Sequence, residues 1–202
     1  AEQGFPVTLV ETASRLGGRL AAPHLWRLYP NDRAASEVLA CKVERLRASG
    51  ARVLTGTQVT GITGFVGAFQ ATLRGAEDEI LPVGVVILAF GADLADPRGA
   101  YGHGRLPNVI TSEDLERAFH EGGPNVDGAP PRSAAFVLCV GSREEHGFTG
   151  CSRYCCPTAV KQALALARQG VDCTVFYRDM RTVSSGAEEM YREARGQGVL
   201  FV

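Results

Sequence analysis

Four cysteines stand close together in the second half of the chain: Cys139, Cys151, Cys155 and Cys156, in the order C-x11-C-x3-C-C. Thiolates are soft ligands, and four of them at one point suit zinc or an iron–sulfur centre. Zinc sites are commonly built on two short C-x2–4-C pairs. Here a vicinal pair and one distant cysteine replace those short pairs, a spacing that favours a [4Fe–4S] cluster. A cysteine also packs well as a small core hydrophobe. That reading suits Cys173, inside an apolar run, and Cys41, inside a helical stretch. It suits the other set poorly, because three of its members lie among Gly, Ser, Thr, Arg and Tyr.

The flanking sequence predicts how these sulfurs are placed. Residues 134–140 form an apolar run that reads as a strand, followed by a polar loop. Pro157 opens a helical pattern, since proline is tolerated in a first turn. Val160, Ala163, Leu164 and Ala167 then recur at i, i+3, i+4 and i+7, and Gly170 ends the helix. Residues 173–177 read as a second strand, 185–197 as a helix and 199–202 as the start of a further strand. Cys155 and Cys156 thus lie at a helix mouth, with Cys139 at a strand end, where an open α/β sheet places ligands. Arg143 and Arg153 flank the sulfurs, either to offset their charge or as solvated side chains. The loop Gly141-Ser142-Arg143-Glu144-Glu145 offers one glycine and two carboxylates. A dinucleotide pyrophosphate needs close backbone approach and a free helix N-terminus, so we expect no pyridine nucleotide here.

The first half reads as a related unit. Residues 6–11 are a short β-branched strand ending in Glu11, followed by Gly17, Gly18 and Arg19. An acid in that place either meets a ribose hydroxyl or is a solvated carboxylate. Residues 21–33 are loop-like; His24 reads as a solvated or capping side chain and Trp26 as packing. Residues 34–49 predict a helix, and 51–73 short strands with glycine turns. Residues 83–91 are almost continuously apolar and predict a buried parallel strand beside 7–11, ending at Gly91. Thr111 and Asp114 have the spacing of a capping box for a helix to about His120. Residues 121–132 hold three Gly and three Pro and read as a linker.

Composition excludes several classes. The 202 residues carry 21 Lys and Arg against 22 Asp and Glu, net −1, which gives no case for nucleic acid. No apolar run reaches the roughly 20 residues of a membrane span, so no transmembrane segment is expected. Clustered cysteines suit a reducing, cytoplasmic compartment better than a disulfide scaffold. The chain begins at Ala1, and its first strand follows almost at once. The expectation is a fragment of a longer polypeptide.

The stretch CVGSREEHGFTGCSRYCCPTAVKQAL resembles the signature of the A subunit of heterodisulfide reductase, an iron–sulfur flavoprotein of thioredoxin-reductase-like fold. The segments GFVGAF at 64–69, YGHGRLPNVITSEDLER at 101–117 and FYRDMRTVSSGAEEMYREARGQGVLFV at the end are similar to that family too. The resemblance implies that Cys139, Cys151, Cys155 and Cys156 bind a [4Fe–4S] cluster near a flavin. It implies an FAD site in which Glu11 holds the adenosine ribose and Gly17, Gly18, Arg19 and Gly91 approach the cofactor. It implies electron relay to other subunits of a heterodisulfide reductase-like complex. The fold expected is α/β: a partial two-dinucleotide-binding-domain flavoprotein, with two incomplete Rossmann-like units and a small β-meander. Residues 1–120 would be a partial FAD-binding domain lacking its first strand and G-x-G-x-x-G, 121–132 a linker, and 133–202 the cysteine-bearing unit. Two departures stand out. Phe90 occupies the place of a usual threonine, and the ferredoxin-like cysteine insert common near 74–82 is absent. Other readings of the residues are a pyridine-nucleotide-dependent disulfide reductase with a redox cysteine pair, and a non-redox zinc module.

Overall fold

In a computed structural model of the chain, residues 1–146 and 148–202 are described. The elements run β1 (Thr8–Val10), β2 (Arg27–Leu28), β3 (Arg33–Ala34), α1 (Ala35–Ala48), β4 (Arg52–Leu54), β5 (Gln58–Phe65), β6 (Ala68–Arg74) and β7 (Glu79–Val83), then α2 (Ser112–His120), β8 (Ser133–Val137), α3 (Cys155–Ala167), β9 (Asp172–Phe176), α4 (Ala187–Gly196) and β10 (Leu200–Phe201). The fold is α/β, and it divides into two compact units. One comprises residues 1–22 and 36–93, the other residues 23–35 and 94–202.

In the first unit β1 pairs in parallel with β4, and α1 makes the crossover. The β5-β6-β7 meander is antiparallel, as its alternating sequence and glycine turns predict. Its buried side is small, with Leu73 and Ala71 of β6 the main apolar contributors.

Residues 85–90 correct an expectation. They form no strand and do not join β1. Ile87 and Phe90 are 86% and 84% exposed. Apolarity alone does not make a strand: the N–H and C=O groups of an extended run need a neighbouring ladder. Among the described residues none runs beside this segment.

In the second unit β8, β9 and β10 form a parallel sheet in the order β10-β9-β8, with α3 and α4 as crossovers. This is the strand–helix–strand alternation expected from the sequence. α3 is buried nearly all round, including Val160, Ala163, Leu164 and Leu166. They pack with Phe136, Val175, Met190, Ala194, Leu115 and Phe119 in one core. At ~25 cal/mol per Å2 of apolar area, each such fully buried Leu or Val is worth about 1.5–3 kcal/mol.

The division of the chain falls at residues 93 and 94, not in the 121–132 stretch. α2 stays with the cysteine-bearing unit because Leu115 and Phe119 are part of its core. Residues 23–35 stay there through polar contacts. Lys161 Nζ donates to Arg27 O at 2.9 Å and pairs with Glu116 at 2.5 Å. Gln162 Nε2 donates to Glu116 Oε1 and to Ser112 O, each at 2.8 Å. Trp26 stacks on Phe119 at 4.7 Å, the packing role its sequence suggested. His24 meets Glu113 at 2.5 Å, on the first turn of α2.

Candidate functional site

The cysteine loop is built at the C-terminal end of β8. Leu138 N–H still donates to Phe176 O at 3.0 Å, continuing the ladder with β9. At Cys139 φ becomes +64° and the chain leaves the sheet. Ser142 N–H then donates to Cys139 O at 3.1 Å, and Arg143 N–H to Gly150 O at 3.0 Å, so the loop folds back and delivers Cys151. Cys151 Sγ accepts from Arg153 N–H at 3.3 Å.

Among the described residues, six other than glycine have positive φ, and three of them, Cys139, Arg143 and Arg153, lie in this loop. Each left-handed residue costs roughly 1–2 kcal/mol. Such strain clusters where geometry is set by function. It marks the loop more sharply than composition alone.

α3 begins at Cys155, two residues before Pro157, so both vicinal cysteines lie within its first turn. Free N–H groups and the positive end of the helix dipole favour a thiolate there. The Cys155 thiol is lowered to about 5: it accepts from the Cys156 thiol first of all, and also from Cys139 N–H, Ser152 and its own N–H. Cys156 is pushed up by the hydrogen bond it gives Cys155 and by burial. The hydrogen bond between the two thus favours negative charge on Cys155 over Cys156.

Cys139 and Cys151 stand in the loop, and Cys155 and Cys156 in the first turn of the helix that follows it. Among the described residues no three or more His, Cys, Asp or Glu side chains close around a single ion point. Adjacent sulfurs repel when all are ionised, so one retains its proton and bonds to its neighbour instead. Cys173 lies apart, buried in the β9 side of the core, where desolvation first and Asp172 second raise it to about 11. Cys41 lies exposed in α1 of the other unit.

The residues expected to meet a flavin all belong to the first unit. Glu11 Oε1 accepts from Ala13 N–H at 2.8 Å, so the carboxylate caps its own turn. Gly17 has φ 126°, and a Cβ there would fall 2.7 Å from Ala21 Cβ and 3.0 Å from Leu39 Cδ1. Its absence of side chain is needed for packing against α1. Gly18 and Gly91 have positive φ with open space at the Cβ position, which leaves their backbones approachable. Arg19 lies in a short 3-10 helix spanning Gly18–Ala21.

Two arrangements escaped the sequence reading. One is the Glu116–Lys161–Gln162 network, in which Glu116 is separated from its partners by more than 40 residues. The other is Asp179 between Arg143 and Arg181. Its signal was present in Arg-Asp-x-Arg directly after a strand, beside an arginine in the cysteine loop.

Fold and site together define an α/β chain with a cysteine loop at the end of a parallel strand and a vicinal cysteine pair opening the following helix. No protein-family model matches the chain. It is 28% identical to the A subunit of ferredoxin:CoB-CoM heterodisulfide reductase from Methanosarcina mazei, over 100% of this chain and 37% of that protein. It is 37% identical to the A subunit of H(2):CoB-CoM heterodisulfide,ferredoxin reductase from Methanothermobacter thermautotrophicus, over 62% of this chain and 21% of that protein. It is 27% identical to the iron-sulfur A subunit of CoB–CoM heterodisulfide reductase from Methanocaldococcus jannaschii, over 100% of this chain and 44% of that protein. The similarity to the A subunit of heterodisulfide reductase, expected from the cysteine signature, therefore extends along the whole chain. The chain spans less than half the length of these relatives. A solved structure of bacillithiol disulfide reductase from Bacillus cereus aligns with 98% of this chain and 60% of its own, at 14% identity and a TM-score of 0.44. That likeness is too distant to bear on function.

Proposed function

We propose that this chain is the cluster-bearing part of an electron-transfer oxidoreductase like the A subunit of heterodisulfide reductase. In this reading Cys139, Cys151, Cys155 and Cys156 hold a [4Fe–4S] cluster, and Glu11, Gly17, Gly18, Arg19 and Gly91 face FAD. The observation that carries the reading is the cysteine loop. Four cysteines on one loop and the helix turn that follows it, with the Cys155 thiol lowered, are a donor set of the chemistry an iron–sulfur cluster needs. Such a cluster, when bound, would supply one-electron storage.

The chain's own residues hold and shield that centre. The left-handed turn at Cys139 aims its N–H at the Cys155 sulfur. The first turn of α3 stabilises negative charge on Cys155. Electrons would leave toward other subunits of a heterodisulfide reductase-like complex. Six cysteines without a disulfide fit a reducing compartment such as the cytoplasm. No described helix is long and apolar enough to cross a membrane.

One alternative has a specific observation behind it: Cys155, lowered to about 5, is also what a redox dithiol requires. Its partner cannot easily be Cys156. Adjacent Cα atoms lie ~3.8 Å apart, whereas unstrained disulfides span ~4.4–6.8 Å. Cys139 and Cys151 would remain.

Anaerobic reconstitution of the chain with iron and sulfide tests the proposal. The expected product is brown and contains about four iron and four sulfide per chain. Serine in place of any one of the four cysteines should reduce that content. A colourless product that takes up zinc instead, or one whose only colour is the yellow of flavin, sinks it.

A further inference from the structure

The loop over residues 97–109 precedes α2 and belongs to the second unit. Its backbone closes on itself. Gly99 N–H donates to His103 O at 3.0 Å and His103 N–H to Ala100 O at 2.9 Å. Arg105 and Leu106 N–H both donate to Gly102 O, at 3.0 and 2.9 Å. Gly102 has φ 84°, and a Cβ there would fall 2.7 Å from Leu106 Cδ1, so this closure needs glycine. The result is a folded turn that fixes the backbone of His103 and Arg105 on either side of Gly104.

The loop surrounds an open hollow of about 410 Å3, lined by His103, Gly104, Arg105, Leu106, Pro107 and Val109. Sites for small molecules run from roughly 300 to 1,000 Å3. No carboxylate lines this one. Arg105 is exposed, and among the described residues its guanidinium has no ion pair or hydrogen bond. Asp96, just before the loop, is already paired with Arg98 at 3.4 Å, so the charge of Arg105 is left uncompensated. Gly104, at φ 82°, has a backbone N–H that meets no acceptor among the described residues. His103 Nδ1 is sealed from solvent without a partner, whereas Nε2 is not sealed. An orphaned buried N–H is rarer than an orphaned acceptor, so the ring proton belongs on Nε2, as a donor open to a ligand.

A guanidinium, an imidazole N–H and a backbone N–H on consecutive residues are donors of the kind that a phosphate oxyanion takes. Leu106, Pro107 and Val109 give the same hollow an apolar wall. We propose that His103, Gly104 and Arg105 bind the phosphate group of a small phosphate ester, whose apolar body rests on that wall. The site belongs to a different unit from Glu11, Gly17, Gly18, Arg19 and Gly91, and it does not depend on the reading of the four cysteines.

The test uses the full chain in phosphate-free buffer at constant pH and ionic strength, with inorganic phosphate as the probe. NMR follows the imidazole signals of the four histidines, and that of His103 is identified by its loss in His103→Gln. The His103 signal should move saturably with phosphate, in the millimolar range, and stay in place with chloride. Arg105→Gln should weaken this binding about tenfold, the loss of one charged hydrogen-bonding partner. Arg105 pairs with nothing in the fold, so its replacement should leave urea unfolding, followed by Trp26 fluorescence, nearly unchanged. Arg47→Gln is the control: Arg47 is exposed in α1 of the other unit and, among the described residues, also forms no ion pair. That variant should bind as the parent does, and Arg105→Lys, which keeps the charge, within a few-fold of it. A His103 signal that drifts without saturating, or that answers chloride as it answers phosphate, overturns the site. So does an Arg105→Gln variant that binds as tightly as Arg47→Gln, or a lysine variant as weak as the glutamine one. Acetate is titrated beside phosphate, and acetate that binds as tightly overturns the phosphate assignment.

Discussion

At the residue scale the contacts least visible in the sequence are among the most deeply buried in the structure. Glu116 and Gln162 are almost wholly buried, and Lys161 is nearly so. Burial is the leading influence on Lys161 and lowers it, opposed by its hydrogen bond to Glu116. A buried pair of this kind adds little relative to apolar residues, but removing one partner strands the other. Glu116→Ala should therefore cost about 3–5 kcal/mol. A Glu116→Met, Lys161→Met double variant should cost much less. Trp26, the chain's one tryptophan, stacks on Phe119 beside this network, so urea unfolding read by its fluorescence measures both. Equal losses in single and double variants would show that the pair acts through packing alone. No periodicity or motif announces such a network. By contrast, the placement of Cys139 past a strand end and of Cys155 and Cys156 at a helix mouth was legible because it depends on local pattern alone.

At the element scale, helix ends were legible and strand partners were not. Thr111 and Asp114 form the capping box expected from their spacing: Asp114 N–H donates to Thr111 Oγ1 at 3.0 Å, and Thr111 N–H to Asp114 Oδ2 at 3.1 Å. Thr111→Ala should cost the second unit about 1 kcal/mol. The Thr111 hydroxyl hydrogen bond, with lesser help from Arg117, holds the Asp114 carboxyl below its ordinary value of 3.8. The unfolded chain takes up this proton first as pH falls. The stabilisation is therefore complete above pH ~5 and is lost on acidification through the folded value, below 3.8. Asp114→Asn should flatten that part of the stability–pH curve; an unchanged slope would remove Asp114 from it. α3 ends as its glycine predicted. Gly170, at φ 84°, donates to Ala167 O at 2.9 Å and Val171 N–H to Leu166 O at 3.1 Å, the paired bonds of a Schellman ending. Gly170→Ala has open space for its Cβ, so it should cost only the left-handed penalty, about 1–2 kcal/mol by thermal or urea unfolding. Caps and endings depend on residues within one turn, which is why sequence specifies them.

At the scale of the whole molecule, the two units differ in how fully they bury their apolar sequence. The second unit encloses α3 between sheet and helices. In the first, the expected parallel strand at 83–91 stayed in the open although its composition is that of a buried strand. Its conformation depends on a neighbour that composition cannot reveal. This exposure has a direct consequence for cleavage. A protease needs an extended, accessible backbone free of ladder hydrogen bonds. β7 ends at Val83, and residues 85–98 form no helix or strand. Leu88 and Phe90 are both exposed there. Phe65 is exposed as well, but it lies in β5 and is paired with Ala68. Phe119 and Phe136 are buried. Brief chymotrypsin treatment followed by mass spectrometry should therefore place a cut after Leu88 or Phe90 among the earliest, alongside exposed Tyr101 and Phe148. Cuts at Tyr101 and Phe148 with 84–91 left intact would mean that this apolar run is covered in solution.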